Sequence, residues 1–142
     1  MRRAFHLMVV IAALLAGFFA NDLIGYFQAD SPPKDLSRYC ALSTQRCDQN
    51  GVGMTLAHDT AHPLVATPLE VDWPNAAQDT LLLTLEGLEM DMGQTKFVLK
   101  RRDDGRFGAD LMLPVCTTAH MTWVGTLTDG HTTVYPAIRM QR

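Results

Sequence analysis

The residues with the clearest capacity for chemistry are Met90, Met92, Cys116, His120 and Met121. Met90-Asp91-Met92 lies in the segment GLEMDMG, and the other three lie within CTTAHM, residues 116–121. Thioether, thiolate and imidazole are the soft-to-intermediate donors that select copper, Cu(I) in particular. If Leu88–Met92 stays extended, Met90 and Met92 project from one face. Convergence of all five residues then requires the Gly87–Gly93 and Pro114–Met121 segments to lie at one end of the fold. The plain alternative is that the methionines fill gaps in a core and that Cys116 is a small buried hydrophobe.

Other groupings carry weaker chemistry. His58 and His62 have the i, i+4 spacing that converges on a metal only on a helix, and Pro63 disfavours helix at His62. A polar loop is expected there, without the glutamate of a hydrolytic zinc motif. Cys40 and Cys47 are close enough in sequence for a short disulfide, which would leave Cys116 as the odd thiol. Pairing of Cys116 with either of them is the other arrangement. Lys100, Arg101, Arg102 and Arg106 surround Asp103-Asp104-Gly105 and read as a solvated hairpin tip that protects a sheet edge. No G-x-S-x-G elbow or glycine-rich phosphate loop occurs, and the carboxylates are scattered. An enzyme is therefore not expected.

These residues need a scaffold, and the chain beyond residue 50 has the signals of short strands. Leu81, Leu83 and Leu85 share one face, with Leu82, Thr84 and Glu86 on the other. Phe97 and Leu99 alternate with Lys96, Val98 and Lys100. Phe107, Ala109, Leu111 and Leu113 alternate with Arg106, Gly108, Asp110 and Met112. Met121, Trp123, Gly125 and Leu127 alternate with His120, Thr122, Val124 and Thr126. Asp104-Gly105 and Asp129-Gly130 mark hairpins. A further apolar run, Leu64–Val71, contains Pro68 and suits an edge strand or a bulge. The pattern predicts about six or seven strands in a small antiparallel β-sandwich, immunoglobulin-like or cupredoxin-like in shape.

The N-terminus sets the compartment. Arg2 and Arg3 precede Leu7–Ala20, a run with no polar residue, and a second apolar patch covers Leu23–Phe27. The run alone rises about 21 Å as a helix, whereas Ala4–Phe27 is long enough to cross a bilayer. A single-pass inner-membrane anchor over residues 1–27 is expected, with the C-terminal part in the periplasm. A cleaved signal peptide is the competing reading, although bulky Phe18 occupies the position that favours a small residue. Residues 28–50 form a proline-containing stalk and a cysteine-containing lead-in, and residues 51–142 the exported domain.

Charge narrows the partners. The 142 residues carry a formal net charge of −3. Without Arg2, Arg3 and Asp22, the 12 basic and 15 acidic side chains fall to 10 and 14. No nucleic-acid partner is expected of such an acidic domain.

The basic start, the anchor AALLAGFFANDLIGYF and the small exported sandwich resemble the FixH/CcoH-like group. The segment from Leu85 to Trp123 also resembles YtkA-like sandwich domains, in its Met92-Gly93 element and its Gly105-Arg106-Phe107 strand start. The resemblance implies an anchored accessory protein that aids assembly of a copper-dependent respiratory cytochrome oxidase. Its implied partners are the inner membrane and a respiratory membrane complex or its copper chaperones, with copper as the implied cofactor. The three cysteines depart from the FixH pattern, and no catalytic residue carries over. An accessory subunit docking on a membrane complex without any metal is the alternative.

Overall fold

The computed structural model describes residues 35–142, which form one compact unit, Asp35–Arg142. The expected anchor and the first part of the stalk lie outside the described residues. Among the described residues, no helix is long and apolar enough to cross a membrane.

The unit is mainly β. A single 3-10 turn, Leu36–Arg38, leads into ten strands: β1 (Cys40–Ala41), β2 (Cys47–Gln49), β3 (Val52–Leu56), β4 (Thr67–Asp72), β5 (Thr80–Gly87), β6 (Gln94–Arg101), β7 (Phe107–Leu111), β8 (His120–Thr128), β9 (Thr133–Val134) and β10 (Pro136–Gln141). They form one continuous sheet in the order β1-β10-β8-β5-β6-β7-β4-β3-β2, with β9 paired to β8. All strand pairs are antiparallel except β1 with β10. The sheet folds on itself as an open, barrel- or sandwich-like layer, and the Cys40–Cys47 disulfide joins β1 to β2. Leu56 N–H donates to the Ser43 carbonyl at 2.8 Å, so backbone hydrogen bonding helps to bring the two ends of the strand order together.

Alternation explains the core. Leu81, Leu83 and Leu85 are buried in β5 while Leu82 is exposed, and Leu99 is buried in β6 between exposed Val98 and Lys100. The inward set also includes Val52, Met54, Leu56, Leu69, Val71, Phe107, Leu111, Met121, Trp123, Leu127, Ile138 and Met140. Burying a side chain of this size contributes roughly 1.5–3 kcal/mol, so this face supplies the main drive for closing the sheet. The expected turns are present. Gly105, with φ 82°, turns the chain between β6 and β7, and Asp129-Gly130 turns it between β8 and β9. Gly125 is fixed by crowding, because a Cβ there would collide with the Thr84 carbonyl of β5.

Three expectations change. The lead-in is part of the domain: Cys40–Ala41 and Cys47–Gln49 are strands, so the folded unit starts near Asp35 rather than Gly51. They were illegible because strands of two and three residues cannot display alternation. Pro68 lies in an inner strand, not at an edge, with β7 on one side and β3 on the other. Its missing N–H is tolerated because β3 ends opposite it: the β3–β4 register runs only to Leu56 and Leu69, and the Pro68 carbonyl receives Ala57 N–H. The arginine-rich hairpin also joins two inner strands, and its three arginines are paired rather than free. Arg101 reaches Asp79 at 3.0 Å and stacks over Phe107, while Arg102 and Arg106 share Glu70 at 3.1 and 3.0 Å.

Candidate soft-donor site

The strand register brings four chain segments to one end of the sheet. Thr67 pairs with Leu111, Glu86 with Gln94, Gly87 with Trp123, and His120 with Gln141. The loops after β3, β5 and β7 therefore meet there with the C-terminus of β10. This is the convergence that a Met90–Cys116 site requires.

The connection between the first two loops is direct. Leu88 N–H donates to the Thr122 carbonyl at 2.9 Å, and Thr122 N–H donates to Glu89 Oε2 at 2.7 Å. The Thr117 hydroxyl lies 3.9 Å from Met90 Sδ. Met121 Cε occupies the space that a Cβ on Gly87 would need, and the Met90 carbonyl borders the same space. Gly87 thus opens a slot through which the Met121 side chain lies beside the Met90 backbone.

Cys116 is the one free cysteine among the described residues, and it is 2% exposed. Its thiol donates to the Thr118 carbonyl at 3.3 Å, and the Thr118 hydroxyl lies 3.6 Å from Sγ. Two hydroxyl-bearing residues thus hold the sulfurs of Cys116 and Met90 in place. Met90 and Met92 are half-buried against the core. They do not lie on a strand, since β5 ends at Gly87, so the extended Leu88–Met92 segment expected to place them on one face is not formed.

Pleating does separate the remaining pair. Met121 is buried at 2% exposure, whereas His120, its neighbour on β8, is exposed. Successive strand residues face opposite sides, so Met121 points into the sulfur-rich interior and His120 away from it. His120 lines a cleft that Glu89, Met121, Thr122, Arg139 and Met140 also border.

One residue joins the set that sequence spacing did not reveal. Met140 of β10 lies directly opposite Met121 of β8 and is likewise buried. Directly paired Cβ atoms sit about 4.5–5.5 Å apart, which places the two thioethers side by side. Trp123, two residues along the same face, is fully buried, and its indole N–H has no partner among the described residues. The interior at this end is therefore lined by Met121, Met140 and an indole ring, with Met90 and Cys116 on the loops above.

His58 and His62 lie in the loop between β3 and β4, and His62 Nδ1 is 2.8 Å from the Gln141 carbonyl. Among the described residues, no group of three or more His, Cys, Asp or Glu side chains is arranged to hold a metal ion.

No family model, curated protein or solved structure matches the chain.

Proposed function

We propose that the chain is a membrane-tethered periplasmic accessory protein that holds Cu(I) transiently and aids the assembly or copper supply of a respiratory cytochrome oxidase. Residues 1–27 would form the inner-membrane anchor, and Asp35–Arg142 the exported domain, of immunoglobulin-like or cupredoxin-like build. The observation that carries the reading is the gathering of Met90, Cys116 and Met121 at one end of the sheet, with Met140 in register beside Met121. Sulfur donors without a carboxylate or imidazole cluster suit a soft monovalent ion better than zinc or calcium. Met92 is close in sequence and half-buried, and it completes the donor-rich loop. His120 would serve at the outer mouth rather than as an inner ligand. Because Cys116 is buried, loading requires the Cys116–Thr118 turn to open, which matches brief custody of the ion better than permanent storage.

The test is an anaerobic Cu(I) titration of the full-length protein against a competing chelator, with ascorbate as reductant so that the disulfide survives. Tight binding that weakens in Cys116→Ser, Met121→Leu and Met140→Leu supports the reading. Binding identical to wild type in all three would reject it.

A second reading, an interaction module without metal, is favoured by a different observation. Leu64, Val65, Met112 and Val115 are all exposed, and Leu64 N–H donates to the Leu113 carbonyl, which ties the two loops together. Clustered exposed apolar residues are a common mark of protein contact. Loss of complementation by Val65→Glu and Val115→Glu, with Cu(I) affinity unchanged, would favour this reading over the first.

A further inference from the structure

The described arginines are treated in two ways by this fold. Arg46 is paired with Asp48 and Asp72, both at 2.8 Å, and Arg101, Arg102 and Arg106 all reach carboxylates. Arg38 lies over the Tyr135 ring. The side chain of Arg139, in the middle of β10, has no hydrogen bond, ion pair or ring contact among the described residues, although its carbonyl accepts from Ala61 N–H at 2.8 Å. It nevertheless lines a cleft of about 430 Å³ together with Ser43, Thr44, Gln45 and Asp59. Its side chain also borders the smaller cleft that contains Thr60, His120 and Thr122.

Asp59 is anchored on one side only. Its Oδ1 accepts from the Thr44 hydroxyl at 2.6 Å and from Thr44 N–H at 2.9 Å, while Oδ2 has no hydrogen-bond partner among the described residues. The Thr44 hydroxyl, then its backbone N–H, lower the Asp59 pKa below the ordinary carboxylate value and keep it ionised at neutral pH. Among the described residues, the cleft thus contains a fixed anion with one unpartnered oxygen and an unpartnered guanidinium, and the two are not paired with each other. The rest of the lining mixes the apolar Ala41 and Leu42 with hydroxyls and an amide.

We propose that Arg139 and Asp59 form a recognition site for a small zwitterion, a molecule with a carboxylate and a primary ammonium. The guanidinium fork takes the carboxylate in two parallel hydrogen bonds, and Asp59 Oδ2 takes the ammonium. Gln45 and Ser43 offer polar contacts along the body of the ligand. A cleft of this volume lies within the range of small-molecule sites. The site differs from the sulfur cluster in its donors, because neither the Asp59 carboxylate nor the Arg139 guanidinium prefers copper.

The test uses the full-length protein and a ruler of ligands. Linear ω-amino acids from glycine to aminohexanoate are titrated by calorimetry, with acetate and ethylamine as the two half-ligands. One chain length should bind best, about tenfold or more tighter than either half-ligand. Arg139→Gln and Asp59→Asn should each weaken that ligand by about tenfold, with unchanged melting temperatures. If no amino acid exceeds its half-ligands, the proposal fails. It also fails if Arg139→Gln weakens binding but Asp59→Asn does not, because the cleft then reads a carboxylate alone.

Discussion

Cys40 and Cys47 join β1 to β2, the first and last strands in the order of the ten-stranded sheet, with their Cα atoms 6.0 Å apart. The bond therefore works as a clasp across the two ends of the open layer rather than as a local staple within one hairpin. Loss of a crosslink over so short a loop removes about 2.5 kcal/mol of stability by the chain-entropy estimate. Cys40→Ser with Cys47→Ser should lower the denaturation midpoint accordingly. Hydrogen exchange should accelerate first at Cys40 and Leu42, whose N–H groups donate to the Tyr135 and Ala137 carbonyls.

Gly87 should not tolerate a side chain. A Cβ there would meet Met121 Cε and the Met90 carbonyl, and only the first of these can move aside. Gly87→Ala should cost about 2 kcal/mol of stability by overpacking. Adding Met121→Ala should restore only part of it, since the carbonyl clash remains. Thermal melts of the single and double variants check both statements.

Asp129 carries an acid-sensitive share of the stability. Its carboxylate is buried and accepts from the backbone N–H groups of Thr132, Ala77 and His131, and these bonds lower its pKa to about 2. A lowered folded-state value means the stabilisation is complete above the ordinary carboxylate range. It is lost as the pH falls from about 4 to about 2. Asp129→Asn should remove this dependence and cost about 2 kcal/mol at neutral pH, because its NH2 group would face a donor. Denaturant titrations at several acidic pH values give the comparison.

Leu64 stands in the left-handed region, with φ 57°, and is 61% exposed. A branched side chain gains nothing there from packing and bears a backbone cost of about 1–2 kcal/mol. Leu64→Gly should raise stability by about 1 kcal/mol, as read from the shift in melting temperature. If the exposed loops serve a partner, the same change should weaken that contact.

The long strands and the turns between them were legible from alternation and Asp-Gly steps. The leucines of β5 and the inward residues of β8 are placed as the pattern predicts. The separation of His120 from Met121 follows from the same alternation, once β8 is known to begin at His120. Met140 was not legible, because its place beside Met121 is a fact of register between strands whose pairing no local pattern encodes. The same is true of Arg139 and Asp59, which come from distant segments and meet only across a cleft. Strands β1 and β2 escaped for want of length, although the cysteines marking them were visible.

The pairing of β1 with β10 has a consequence for how the molecule is made. β1 takes β10 as its neighbour, so the layer cannot close until the chain as far as β10 has emerged. High contact order of this kind slows folding. During that interval Cys40 and Cys47 are already together on the emerging chain, well before Cys116 appears. An oxidant meeting the chain in order of synthesis would close the correct bridge first, and the later thiol would arrive with no partner left to capture it.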